Sequence, residues 1–186
     1  MCLATVWRFW MVLGLVSGSL SLGCERLQLQ QVLNTETLSK LYEMGGHFPR
    51  HCIRQRLSLK TKPLDLVKLS DGFETQERTA IIHQTLHHIN KIYSMNLGSV
   101  TWAWDKVEHF RLLLDQQLRE LQDCVRKSGT DHKLKRNAAI QHYFRNLEKF
   151  LKHEKFSECS WEIIRDETRA RLQQLHFIMA QVNRRN

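Results

Sequence analysis

His83 and His87 stand four residues apart, the spacing at which a helix presents two imidazoles on one face, and His88 follows directly. Such a pair can hold a divalent metal, and zinc hydrolases use it with a glutamate after the first histidine. Here Gln84 follows His83 and no third ligand is evident. The three are therefore read as solvated helix-surface histidines, with no metal and no cofactor. The cysteines are the other reactive set: Cys2, Cys24, Cys52, Cys124 and Cys159. No two have Cys-x-x-Cys spacing, so a zinc ribbon or a thioredoxin-like exchange motif lacks support. Serine hydrolysis would call for a Gly-x-Ser-x-Gly turn after a strand, and neither is found. Asp166–Arg169 and Glu167–Arg171 pair opposite charges at helical spacing, each worth a few tenths of a kcal/mol. No residue set supports catalysis, so the chain is read as a non-enzyme whose work is binding.

The cysteines depend on the compartment. Residues 1–23 have the pattern of a secretory signal peptide: Arg8 is the only charge, Phe9 to Val16 is apolar, and Ser21-Leu22-Gly23 suits the cleavage site. Cleavage before Cys24 is expected, leaving residues 24–186 as one secreted, extracellular domain. The apolar run is too short to span a bilayer comfortably and no other stretch could, so no membrane insertion is expected. Cys2 leaves with the leader. Cys24, Cys52, Cys124 and Cys159 then form an even set in an oxidising compartment, which implies two disulfides. Three pairings are possible and spacing does not choose among them.

The full chain carries a formal charge of +9; without Arg8, 27 basic residues face 19 acidic ones. The cations are spread along predicted helices without an aromatic-interleaved basic tract, which argues against nucleic acid as the partner. Weak glycosaminoglycan binding is a secondary expectation from the charge. No Asn-x-Ser/Thr sequon is present, so N-glycosylation is not expected.

Two prolines and eight glycines leave long uninterrupted windows, which suits helices. The first spans Leu27 to Tyr42, with Leu29, Val32, Leu33, Leu38, Leu41 and Tyr42 inward and Gly45-Gly46 as its stop. Residues 45–73 form a long connection with Pro49, Pro63 and Asp71-Gly72. Its leucines 57, 59, 64, 66 and 69 predict a loop laid down on the bundle. The second helix is Glu74 to Tyr93, burying Ile81, Ile82, Leu86, Ile89, Ile92 and Tyr93. A third, capped by Ser99, runs from about Val100 to Arg126 with Val100, Trp104, Val107, Leu114, Leu118, Leu121 and Val125 inward. The fourth, Lys133 to Lys152, buries Leu134, Ala138, Tyr143 or Phe144, Leu147 and Leu151.

Ser157 caps the fifth helix, with Glu158 in its first turn where the helix dipole favours an anion. Trp161, Ile164, Thr168, Leu172, Leu175, Met179 and Val182 follow at steps of three and four, one apolar stripe down a long helix. Glu162, Arg165, Asp166, Arg169 and Arg171 fall on its other side. The fold class is an all-α bundle of five helices with a long crossover loop after the first. A crossover of that length lets neighbouring helices run parallel, but an up-and-down bundle would bury the same stripes equally well.

Cys159-Ser160-Trp161-Glu162-Ile163-Ile164-Arg165-Asp166-Glu167 resembles the Cys-Ala-Trp-Glu-Val-Val-Arg-Ala-Glu stretch of the type I interferons. The lead-in from Lys152 to Ser157 resembles that family's Lys-Glu-Lys-Lys-Tyr-Ser-Pro. The likeness is dense from Ala139 to Arg171, moderate from Cys52 to Arg56, and elsewhere rests on cysteine placement and helix pattern. It implies a helical-cytokine bundle with disulfides Cys24–Cys124 and Cys52–Cys159. It also implies a monomeric ligand that bridges the high-affinity and low-affinity chains of the type I interferon receptor. JAK–STAT signalling and an antiviral response would follow.

In that family the loop cysteine precedes Leu-Lys-Asp-Arg, whose Leu and final Arg anchor the high-affinity chain; Ile53 and Arg56 stand at those places. Arg165 matches the family's arginine on the last helix. Arg169, where the family has methionine, completes the expected receptor-binding set, and Trp161 has a structural role. The low-affinity chain binds a face made by the second, third and fourth helices. Gln141 stands there where many family members have a basic residue, so the resemblance carries over no individual contact, and His142 and Arg145 are candidates only by their place on the fourth helix. Two other classes share these features: another helical cytokine (type III interferon or growth-hormone-like), and a cationic antimicrobial or heparan-binding secreted protein. On the interferon reading, Arg56→Ala or Arg165→Ala should weaken receptor binding without lowering thermal stability.

Overall fold

The computed structural model describes residues 27–127 and 137–185. The leader expected at residues 1–23, Cys24 and Leu134 lie outside the described residues. Five long helices run in chain order: α1 (Gln28–Gly45), α4 (Thr75–Tyr93), α5 (Trp104–Lys127), α6 (Ala138–His153) and α7 (Glu158–Arg185). The crossover between α1 and α4 carries a 3-10 turn, Arg50–Cys52, and two short helices, α2 (Ile53–Arg56) and α3 (Leu66–Leu69). No strand occurs among the described residues.

Pairings between side chains give the directions. Asn34 donates to the Leu172 carbonyl and Arg165 to the Leu41 carbonyl, so α1 and α7 are antiparallel. Arg78 reaches Gln181 while Tyr93 packs on Trp161, so α4 is also antiparallel to α7. α1 and α4 therefore run parallel, and the long crossover is what permits it. Lys91 pairs with Glu148 and Gln84 with Asn137, which makes α6 parallel to α4. The up-and-down alternative is excluded.

α7 runs through the core, and all seven residues of its apolar stripe are buried. Ser157 takes the backbone N–H of Ser160 on its hydroxyl, the expected cap. Trp161 is fully buried, donates Nε1–H to the Asn96 carbonyl at 3.0 Å, and sits among Tyr93, Trp102 and Phe156. α4 starts with a reciprocal capping box between Glu74 and Glu77.

The six inward residues expected in α4 are buried as well, but in α1, at the start of α5 and at the start of α6 the hydrophobic pattern misplaces some of the inward residues. α1 buries Gln30, Leu33, Asn34, Thr37, Leu41 and Met44, while Leu29, Val32 and Tyr42 are exposed. Its inner face is half polar because partners await it: Gln117 donates to Thr37 Oγ1 at 2.9 Å, and Asn34 to the Leu172 carbonyl at 2.9 Å. α5 begins at Trp104 rather than near Val100, and Trp104 is exposed; Trp102, just before the helix, is the buried tryptophan. Ser99 caps nothing there; its hydroxyl donates to the Phe156 carbonyl. Ala138 is exposed, and Tyr143 and Phe144 are both buried.

α6 ends in a Schellman motif: Phe156 N–H donates to the Leu151 carbonyl and Lys155 N–H to the Lys152 carbonyl. Lys155 holds φ at 51°, the left-handed conformation glycine usually supplies. Lys155→Gly is expected to stabilise the fold by about 1 kcal/mol. An unchanged urea midpoint would show that the lysine side chain compensates for its backbone.

Candidate functional site

The crossover is fixed to α7 at several points. Cys52, fully buried, is bonded to Cys159 in the first turn of α7, with Cα atoms 5.1 Å apart and a sequence separation of 107. This is the pairing the resemblance implies. Cys124 is also disulfide-bonded, and its implied partner, Cys24, lies outside the described residues. From Cys52 the chain turns directly into α2. Gln55 donates to Glu154 at 2.8 Å and to Ser157 at 3.0 Å, and Ser58 donates to Glu154. Arg56 pairs with Asp166 and Glu167 on α7, and its guanidinium lies 5.8 Å from the Phe48 ring centre. Asp166 in turn takes a 2.5 Å bond from Arg169. Partial burial pushes the Asp166 carboxyl upward, but the bonds from Arg169 and Arg56 outweigh it and hold its pKa below the ordinary value.

The charged residues of α7 do not form one solvated face. Arg165 is only 6% exposed. Its Nη2 donates to Glu162 at 2.6 Å, and its Nη1 donates to the Gly46 carbonyl at 2.8 Å and the Leu41 carbonyl at 3.3 Å. Glu162, itself buried, also accepts Trp102 Nε1–H at 2.5 Å. Arg171 is buried too; it donates to the Leu64 carbonyl and lies 5.2 Å from the Tyr143 ring centre. These arginines tie the end of α1 and the crossover to α7. They are buried because the crossover lies over them, and a helix viewed alone gives no sign of that cover.

The expected site residues therefore divide. Ile53 is 54% exposed, Arg169 is exposed, and Arg56 is partly exposed, all around the α2–α7 contact. The chain of ion pairs Arg56–Asp166–Arg169 joins the last two directly. Arg165 lies beneath them, lining a small pocket with Leu41, Tyr42, Gly46, His47 and Phe48. Exposed Tyr42 and Leu57 extend this surface, and sequence reasoning missed both. Leu57 carries a signal, a leucine next to the Ile53–Arg56 turn, but its run with leucines 59, 64, 66 and 69 points to the covered side of the loop.

Among the described residues one cluster has metal-ligand geometry, His51 with Cys52 and Cys159, and both its sulfurs are spent in the disulfide. His87 is exposed and His88 stacks on Phe144 at 5.2 Å. What remains is a rigid, solvent-facing patch of aliphatic, aromatic and guanidinium groups. Such a patch suits protein docking.

An all-helical bundle with a parallel first pair, a long crossover and a disulfide-fixed surface patch defines a helical cytokine. The interferon alpha/beta domain model matches residues 27–182, and the chain belongs to the type I interferon family. It is similar to interferon a3 of Oncorhynchus mykiss, 30% identical over 151 residues that make up 81% of each chain. Interferon alpha-21 of Homo sapiens is 27% identical over 154 residues, 79% of each chain. The structure of zebrafish interferon 1 superposes with a TM-score of 0.73 at 29% identity, covering 86% of this chain and 99% of that one. The protein is thus an interferon cytokine and not an enzyme. Among the described residues no helix is long and apolar enough to cross a membrane.

Proposed function

We propose that the chain is secreted after removal of residues 1–23. It then acts as a monomeric ligand that brings two type I interferon receptor chains together, activating JAK–STAT signalling and an antiviral state. The observation that carries this reading is the α2–α7 patch. The Cys52–Cys159 bond and the Arg56 ion pairs hold Ile53 in solvent beside Arg169. An aliphatic anchor beside guanidinium groups is the composition of a compact hot spot, and an ordered loop loses little entropy on docking.

Ile53, Arg56 and Arg169 make the contacts with the high-affinity chain, while Arg165 supports them from beneath. His142 and Arg145, both exposed on α6, are available to the low-affinity chain. The test is STAT phosphorylation in receptor-bearing cells treated with refolded protein. Ile53→Ala combined with Arg169→Ala should move the dose–response curve by roughly tenfold or more at an unchanged thermal midpoint, the loss a hot spot produces. An unmoved curve would remove the patch from the contact.

A further inference from the structure

We propose that the outer face of α6 and the adjoining loop form a binding ridge for a sulfated glycosaminoglycan. His142, Arg145, Lys149 and Lys152 follow one another at steps of three, four and three, and all are exposed. At 1.5 Å per residue they span about 15 Å of straight helix. The ridge continues past the end of α6. Lys155 projects from the turn, and the Gln55–Glu154 bond brings α2 alongside, with exposed Arg54 next to Gln55 and exposed Arg50 in the turn before it.

The charges on this ridge are left uncompensated. Among the described residues none of Arg50, Arg54, Arg145, Lys149, Lys152 and Lys155 makes an ion pair, whereas Arg56, Lys91, Lys106, Arg111, Arg165 and Arg169 all do. The nearby carboxylates are already engaged. Glu148 is bonded to Lys91, Glu154 accepts from Gln55 and Ser58 and contacts His153, and Glu158 accepts from Thr101. Like charges three and four residues apart mildly destabilise a helix, so the row does nothing for the fold.

The ligand's chemistry follows from what accompanies the charges. None of the large exposed apolar side chains lies on residues 138–155, so the α6 part of the ridge has no apolar face to enter a bilayer; the exposed Ile53 and Leu57 near Arg54 belong to the docking patch. Tyr143, Phe144 and Phe150 are buried, so no aromatic ring is offered for base stacking. A straight row of solvated cations fits a linear, densely sulfated chain.

The experiment measures binding to immobilised heparin at physiological salt for three proteins. These are the full chain, the ridge variant Arg54→Gln/Lys149→Gln/Lys152→Gln, and a charge-matched variant Lys68→Gln/Arg119→Gln/Arg184→Gln. The last three residues are exposed on three separate elements. The ridge variant should bind at least about tenfold more weakly and show a shallower salt dependence, while the scattered variant should lose less than about threefold. Equal losses would mean that bulk charge does the binding, and would overturn the proposal. So would equal affinity for desulfated heparin, or tighter binding to phosphatidylserine vesicles or single-stranded RNA than to heparin. Thermal melts verify that both variants fold. Ile53→Ala/Arg169→Ala, which leaves every ridge cation in place, reads the docking patch separately through STAT phosphorylation, while its heparin binding should stay within about threefold of the full chain.

Discussion

Arg165→Ala is expected to lower the unfolding free energy by about 3–5 kcal/mol, the range for removing one partner of a buried ion pair. The guanidinium bonds Glu162 through Nε and Nη2 at 3.1 and 2.6 Å, and it supplies donors to the Leu41 and Gly46 carbonyls. Alanine would strand a carboxylate that is 3% exposed, leaving it only the Trp102 indole as a donor across the core. The two carbonyls at the end of α1 would lose the same donor. Lysine would keep the charge but not the fork that serves three acceptors at once. Urea denaturation measures the loss; a change below about 1 kcal/mol would mean that the guanidinium is solvated and available for docking, as the exposed ion pairs are.

This outcome reverses the expectation that the resemblance sets for Arg165, that as a receptor contact its removal should spare thermal stability. Weakened signalling by Arg165→Ala would then reflect movement of the α1 end and the loop above it. Gly45 shows how closely these parts meet. A β-carbon there would lie 2.8 Å from Arg165 Nε and 2.9 Å from Trp102 Nε1, so only glycine lets the backbone approach the buried pair.

The bundle was legible wherever apolar residues alone decide which side of a helix is inward. The α7 stripe from Trp161 to Val182 is such a case, as is the α4 set from Ile81 to Tyr93. α1 was not legible, since its contact with α5 and α7 is made partly by Gln30, Asn34 and Thr37. Those polar residues are buried because each finds a partner on another helix, and periodicity carries no trace of that. The same reason hid the split among the α7 arginines. Arg165 and Arg169 are both cations on one helix, but only Arg165 lies under the crossover's covalent and hydrogen-bonded attachment. Resemblance supplied the Cys52–Cys159 pairing, which spacing had left open among three.

Severing that bond, by Cys52→Ser with Cys159→Ser, is expected to cost about 2–5 kcal/mol of stability and to reduce signalling more than loss of the disulfide at Cys124. The two bonds lie at opposite ends of the molecule. Cys159 opens α7 beside the end of α1, whereas Cys124 is in the last turns of α5, which runs antiparallel to α1 and ends near its start. Loss of the Cys124 bond should therefore lower stability without releasing α2. At the other end, the side-chain contacts to α6 and α7 that remain after the cut are Gln55 to Glu154 and Ser157, Ser58 to Glu154, and Arg56 to Asp166 and Glu167. Partly exposed pairs contribute about 0–1 kcal/mol each. Ordering the backbone costs about 1–2 kcal/mol per residue, and residues 50–58 number nine, so these contacts alone cannot hold the segment. Amide exchange across residues 50–58 should accelerate in the Cys52/Cys159 variant and stay slow in the Cys24→Ser/Cys124→Ser variant, at a temperature where both remain folded. Equal loss of STAT phosphorylation in the two variants, with no difference in exchange, would mean that the patch keeps its shape without the sulfur bridge.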